Sequence, residues 1–157
     1  MDSRPEVHDT KPDVAKVAVL ADFCRDEIAA AETYKRALAL LPLQRHSDLL
    51  SRCFASHQQR VRELRDRIVA LGGKAPDAPG VWGSLIPALT SAAAAVSENL
   101  AVSMLEEAEG RGMRRYGEHL GELDPASRAF VDERIIPGQA TTHAAMSALK
   151  MSVSASA

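Results

Sequence analysis

The stretch LADFCRDEIAAAETYKRALALL, residues 20–41, decides the fold. Within it Leu20, Cys24, Glu27, Ala31, Tyr34, Leu38 and Leu41 recur in steps of four and three, the spacing that lines one face of an α-helix packed against other helices. Asp13 stands where a cap would open this helix, and Pro42 ends it because a proline ring cannot continue the ladder. The same rhythm returns in Leu50, Phe54, His57, Val61, Leu64, Ile68 and Leu71, with Ser47 as the expected cap and Gly72-Gly73 as the stop. A connection of only about five residues makes the two helices an antiparallel hairpin.

Working outward, the segment GGKAPDAPGVWG from Gly72 to Gly83 carries glycines and prolines too dense for helix and reads as a linker between two halves. Extended, it reaches roughly 40 Å, the length of a helix of about 25 residues, so it can carry the chain back along a bundle. Trp82 is expected to plug one end. Ser84 to Val96 is alanine-rich and helical in pattern, with a break expected near Ser97 to Asn99. The third main helix then carries Val102, Leu105, Glu109, Gly112, Tyr116, Leu120 and Leu123. Asp124-Pro125 reads as a cap followed by a first helical residue, opening a fourth helix that runs to about Met151 with a kink at Pro137. The expectation is an all-α four-helix bundle over residues 13–151, two helical hairpins joined by a long crossover, between tails at 1–12 and 152–157 without fixed structure.

Composition agrees. The chain's 157 residues are enough to bury one core. Only 4% are aromatic and alanine is abundant, which favours helix over strand. A net charge of −2 with 25% charged residues gives no basic field to attract nucleic acid. No run approaches the roughly 20 apolar residues of a membrane span, and no signal-peptide core precedes the first helix. Cys24 and Cys53 sit in helical patterns, on opposite sides of the Glu27–His57 level, as reduced core residues. The expected setting is the cytoplasm, without nucleic-acid or membrane partners, and self-association as a homodimer or larger homo-oligomer is left open.

Two helices share a pattern of polar residues on their apolar faces: Glu27, Ala30 and Tyr34 in the first, Glu109, Gly112 and Tyr116 in the third. Each half adds a histidine on the partner helix, His57 or His143, and helix lengths bring all four groups near mid-bundle. An ionised carboxylate on an apolar seam needs a partner, which a metal ion or a histidinium would supply. His46 and His119 have no partner at suggestive spacing, although His119 lies close enough to the third seam to be a spare ligand. The arginines at 60, 62, 65 and 67 alternate with Glu63 and Asp66 and read as a solvated face.

With these residues the chain resembles the ferritin-like superfamily, whose rubrerythrin-type and bacterioferritin-type members carry a Glu-x-x-Ala-x-x-x-Tyr helix followed by a Glu-x-x-His helix, twice. Glu27-Ile-Ala-Ala30-Ala-Glu-Thr-Tyr34 matches the first element, and Glu109-Gly-Arg-Gly112-Met-Arg-Arg-Tyr116 matches its second copy with glycine for alanine. Leu71-Gly72-Gly73 and Gly80-Val-Trp82-Gly83 look like the linker of a poorly characterised bacterial ferritin-like family. The resemblance implies a divalent metal, iron first and zinc or manganese next, held by Glu27, His57, Glu109 and His143, with Tyr34, Tyr116, Glu106 and Gln139 in a second tier. Metal handling or oxidative stress would be the role.

The departures are equally specific. Phe54 and Ala140 stand three residues before His57 and His143, where di-iron proteins have glutamates. Two carboxylates and two imidazoles suit one ion rather than a dinuclear centre. The alternative is a metal-free bundle or interaction module in which the same groups form a structural layer. The residues point to no catalytic group, and whether the chain is an enzyme is left open.

Overall fold

The four-and-three periodicities fold as helix. The computed structural model describes residues 14–41, 43–80 and 97–156, and every regular element among the described residues is helical. Helix α1 (Val14–Leu40) is followed by a 3₁₀ turn (Gln44–His46) and α2 (Ser47–Ala70). Helix α3 (Glu98–His119) leads through a 3₁₀ turn (Leu120–Glu122) into α4 (Pro125–Phe130), a π-helical turn (Val131–Ile135) and α5 (Ile136–Ala155). The last three are contiguous and form the fourth rod.

Local chemistry sets the ends. Gly72 takes φ 78°, and the Gly73 and Gly72 amides bond Ile68 O and Val69 O, both at 2.9 Å, which ties off the last carbonyls of α2. Ser97 accepts from the Leu100 amide at 3.3 Å and opens α3. Asp124 accepts from the Ala126 and Ser127 amides, with Pro125 at the first helical position. Pro137 has no N–H to give, and the ladder before it relaxes: the Ile136 amide bonds Val131 O, five residues back.

Two expectations are corrected. Ser47 does not cap α2 but is its first residue, because the preceding 3₁₀ turn leads straight in and the Ser47 amide bonds Gln44 O. Nor do residues 152–157 lack structure throughout, because α5 continues to Ala155 and buries Val153 against the core. Residues 1–12, Asp13, Trp82 and Ser84 to Val96 lie outside the described residues.

Helix α1 packs chiefly on α2, and α3 on α5; between the halves α2 meets α5 more closely than α1 meets α3. Two apolar clusters result. One gathers Leu41, Leu50, Cys53, Val102, Leu105 and Met146; the other gathers Leu20, Cys24, Leu64, Ile68, Val131 and Ile135. Both cysteines are buried free thiols, one in each cluster, and burial pushes each thiol up to about 11. No helix among the described residues is long and apolar enough to cross a membrane. Between the clusters lies a polar layer.

Candidate functional site

Glu27 on α1, His57 on α2 and Glu109 on α3 are each at most 3% exposed, and they converge. His57 lies between the carboxylates, with Nδ1 2.7 Å from Glu27 Oε2 and Nε2 3.0 Å from Glu109 Oε1. Ionised carboxylates only accept, so opposite two of them each ring nitrogen is placed to donate, as an imidazolium does. Burial alone would lower the His57 pKa, but the adjoining Glu27 and the hydrogen bond to Glu109 outweigh it and raise it above 6.5.

The tyrosines cross between the halves. Tyr34 donates to Glu109 Oε1 at 2.7 Å, and Tyr116 donates to Glu27 Oε1 at 2.6 Å. Tyr34 also stacks on His57, and Tyr116 packs on Phe23. Glu109 Oε2 accepts from Gln139 Nε2 at 2.8 Å and Thr142 Oγ1 at 2.9 Å.

The residue that sequence reasoning placed on a solvated face completes the layer. Arg60 is 2% exposed, and its Nε lies 2.9 Å from Glu27 Oε1. That N–H is not aligned for a hydrogen bond, so the contact is an ion pair held by charge. Nη1 donates to Ser56 Oγ and Nη2 to Gln139 Oε1, at 2.8 and 3.0 Å. Nη2 is also 2.6 Å from His57 Nδ1 and 3.4 Å from Nε2, which puts it over the ring rather than out along either lone pair. Two cations thus adjoin, and the two carboxylates make that tolerable. Burial raises the Glu27 carboxyl, but Arg60 and His57 more than reverse this and bring it down to about 2; Glu109 is likewise held low, with His57 as the main cause against burial. Two negative and two positive charges cancel.

His143 does not join. The buried face of the fourth rod runs Val131, Ile135, Gln139, Thr142, Met146, Leu149, Val153, and His143 stands one residue past it with its side chain 35% exposed. Its Nε2 is 3.8 Å from Glu106 Oε1, and Lys150 holds the other oxygen of that carboxylate at 2.7 Å. Of the second tier, Tyr34, Tyr116 and Gln139 belong to the layer, and Glu106 lies outside it. His119 is partly exposed between Arg115 and Glu122, and His46 bonds Glu98 at 2.7 Å.

The true duplication is in register. His57 follows Glu27 by 30 residues, and Gln139 follows Glu109 by 30. Thr142 follows Glu109 by 33 residues, the same offset that separates Arg60 from Glu27. The layer thus sets His57-x-x-Arg60 against Glu27 and Gln139-x-x-Thr142 against Glu109. The glycines fit this arrangement. A Cβ on Gly112 would stand 2.8 Å from Gln139 Nε2, and one on Gly138 would stand 3.1 Å from Arg60 Nη1. Gly112 in place of the alanine of the first copy makes room for the glutamine amide, and Gly138 makes room for the guanidinium.

This donor set does not fit a dinuclear metal centre. A bound metal needs lone pairs aimed at one point, whereas His57 presents its two nitrogens to different carboxylates and a guanidinium occupies the same layer. Among the described residues no group of three His, Cys, Asp or Glu side chains is arranged to hold a metal ion. Comparison with family models, curated proteins and solved structures gives no match.

Proposed function

We propose that this chain is a metal-independent member of the ferritin-like architecture, a helical bundle and interaction module in which protein cations replace the metal centre. The observation that carries this reading is Arg60. A buried guanidinium and an imidazolium balance Glu27 and Glu109, and Gly138 leaves the space the guanidinium uses. A buried ionic layer adds little net stability over an apolar one, but it penalises wrong pairings, because any slip in register strands an unpaired charge. Its role here is to fix how the α1–α2 half docks on the α3–α5 half, presenting a defined outer surface to partners or to further copies of the chain.

Convergence of Glu27, His57 and Glu109 favours a second reading, one divalent ion among these three. That requires Arg60 to withdraw and His57 to lose a proton.

Elemental analysis of protein purified without chelator or affinity tag, with melting curves in iron(II), manganese(II), zinc(II) and chelator, separates the two. The metal-independent reading expects substoichiometric metal and one unchanged melting temperature. Stoichiometric metal that disappears in a Glu27→Ala/Glu109→Ala variant would establish the second reading instead.

A further inference from the structure

Helices α1 and α3 touch so sparingly that a cavity of about 80 Å³ remains between them, beside the charged layer. Phe23, Ala29, Ala30, Leu105, Ala108 and Gly112 supply its apolar wall, the buried Glu27 and Glu109 line it as well, and Asp26, Arg111 and Arg115 also belong to the lining. The gap follows from the sequence, because alanines and a glycine stand on the helix faces where larger side chains would close it.

Two features define what fits. Cavity size comes first: an apolar cavity of ~150 Å³ takes benzene, so this one suits a molecule of a few heavy atoms. Hydrogen-bonding capacity comes second. Among the described residues Glu109 Oε1 and Oε2 each accept two hydrogen bonds, and Glu27 Oε1 faces both Tyr116 and Arg60. Among the described residues Glu27 Oε2 accepts from His57 Nδ1 alone, which leaves one acceptor position on a carboxylate that lines the cavity. The charges of the layer already cancel, and the other charged groups of the lining are paired, Arg115 with Asp26 at 2.8 Å and Arg111 with Glu107 at 3.0 Å, so an added cation or anion would enter uncompensated.

We infer that this cavity binds a small uncharged molecule with an apolar body and one hydroxyl or N–H donor, of the size and chemistry of a short-chain alcohol. The inference rests on the metal-independent reading of the layer, since it takes the layer to be neutral. The donor hydrogen-bonds to Glu27 Oε2 while the alkyl part lies against Ala30, Ala108 and Leu105.

The test is methyl-detected NMR of the full chain, its metal content measured on the same sample, titrated with propan-1-ol, acetate and ethylammonium. Propan-1-ol is expected to shift the Ala29, Ala30 and Ala108 methyl signals saturably, acetate and ethylammonium to leave them in place. Ala30→Leu fills the cavity and is expected to weaken propan-1-ol binding about tenfold or more, with a melting temperature no lower than that of the parent. Absence of saturable shifts in the parent, stronger binding of ethylammonium than of propan-1-ol, or undiminished binding in a folded Ala30→Leu variant would each overturn the inference. Failure of the metal-independent reading would show separately, as stoichiometric metal in the sample.

Discussion

Gly112 and Gln139 are complementary: a single methyl on Gly112 would stand 2.8 Å from the Gln139 amide nitrogen. That nitrogen bonds both Glu109 O and Glu109 Oε2, while the amide oxygen accepts from Arg60. The amide cannot swing aside without releasing the carboxylate and guanidinium together. Replacing glycine in a helix by alanine ordinarily gains about 1 kcal/mol. Gly112→Ala is expected to reverse that sign and cost about 1–3 kcal/mol through overpacking. Gly117 is the control: a methyl added there would meet nothing within 4 Å, and Gly117→Ala should stabilise. Chemical denaturation of the two variants checks the pair.

Arg60 is the second point of pressure. Arg60→Met leaves two buried carboxylates facing one imidazolium and is expected to cost about 3–5 kcal/mol. Adding Glu27→Gln removes the stranded charge, so the double variant should be more stable than the sum of the single effects allows. Strict additivity in a double-mutant cycle would deny that the two groups form a pair.

Symmetry of the tyrosines gives a third expectation. Each hydroxyl donates to an ionised carboxylate of the opposite half, at 2.7 and 2.6 Å, and both are buried. Tyr34→Phe and Tyr116→Phe should each cost about 1.5–3 kcal/mol, the range for hydrogen bonds to charged groups. Melting curves that respond to one and not the other would contradict the crossed arrangement.

The layer also sets a pH dependence. Glu27 and Glu109 have folded pKa values below the ordinary 4.5, so their contribution is present above pH 4.5 and lost as pH falls, for Glu27 toward about 2. His57 has a folded pKa above the ordinary 6.5, so its contribution is full below pH 6.5 and lost as pH rises through the folded value. Stability contributed by the layer is therefore greatest between about pH 4.5 and 6.5. In His57→Gln the decline above pH 6.5 should flatten, a result read from unfolding free energies measured on the alkaline side of neutrality.

Much of this was legible in the chain. Steps of four and three located the helices, and Glu27, Tyr34, Glu109 and Tyr116 stood out because carboxylates and tyrosines recur there at one spacing on otherwise apolar faces. His57 was legible for the same reason. Arg60 was not, because a charged residue among other arginines looks solvated, although it lies three residues after His57 and four before Leu64, on the same face. The fourth rod misled differently. Between Ile136 and Met146 it carries no leucine, isoleucine, valine, methionine or aromatic residue, so His143 stands out in the pattern, whereas the buried face passes through Gln139 and Thr142. Counting 30 residues on from each glutamate would have found Gln139 as the counterpart of His57.

If the layer is metal-independent, the positive charge opposite Glu27 and Glu109 belongs to the protein, and the His57 ring carries the deciding proton. Nitrogen-15 NMR of the histidine side chains at about pH 6, with His57 assigned by its loss in His57→Gln, reports the protonation of each ring nitrogen. The account predicts a proton on both Nδ1 and Nε2. A bare nitrogen, whether of a neutral ring or of one bound to a metal ion, would contradict it.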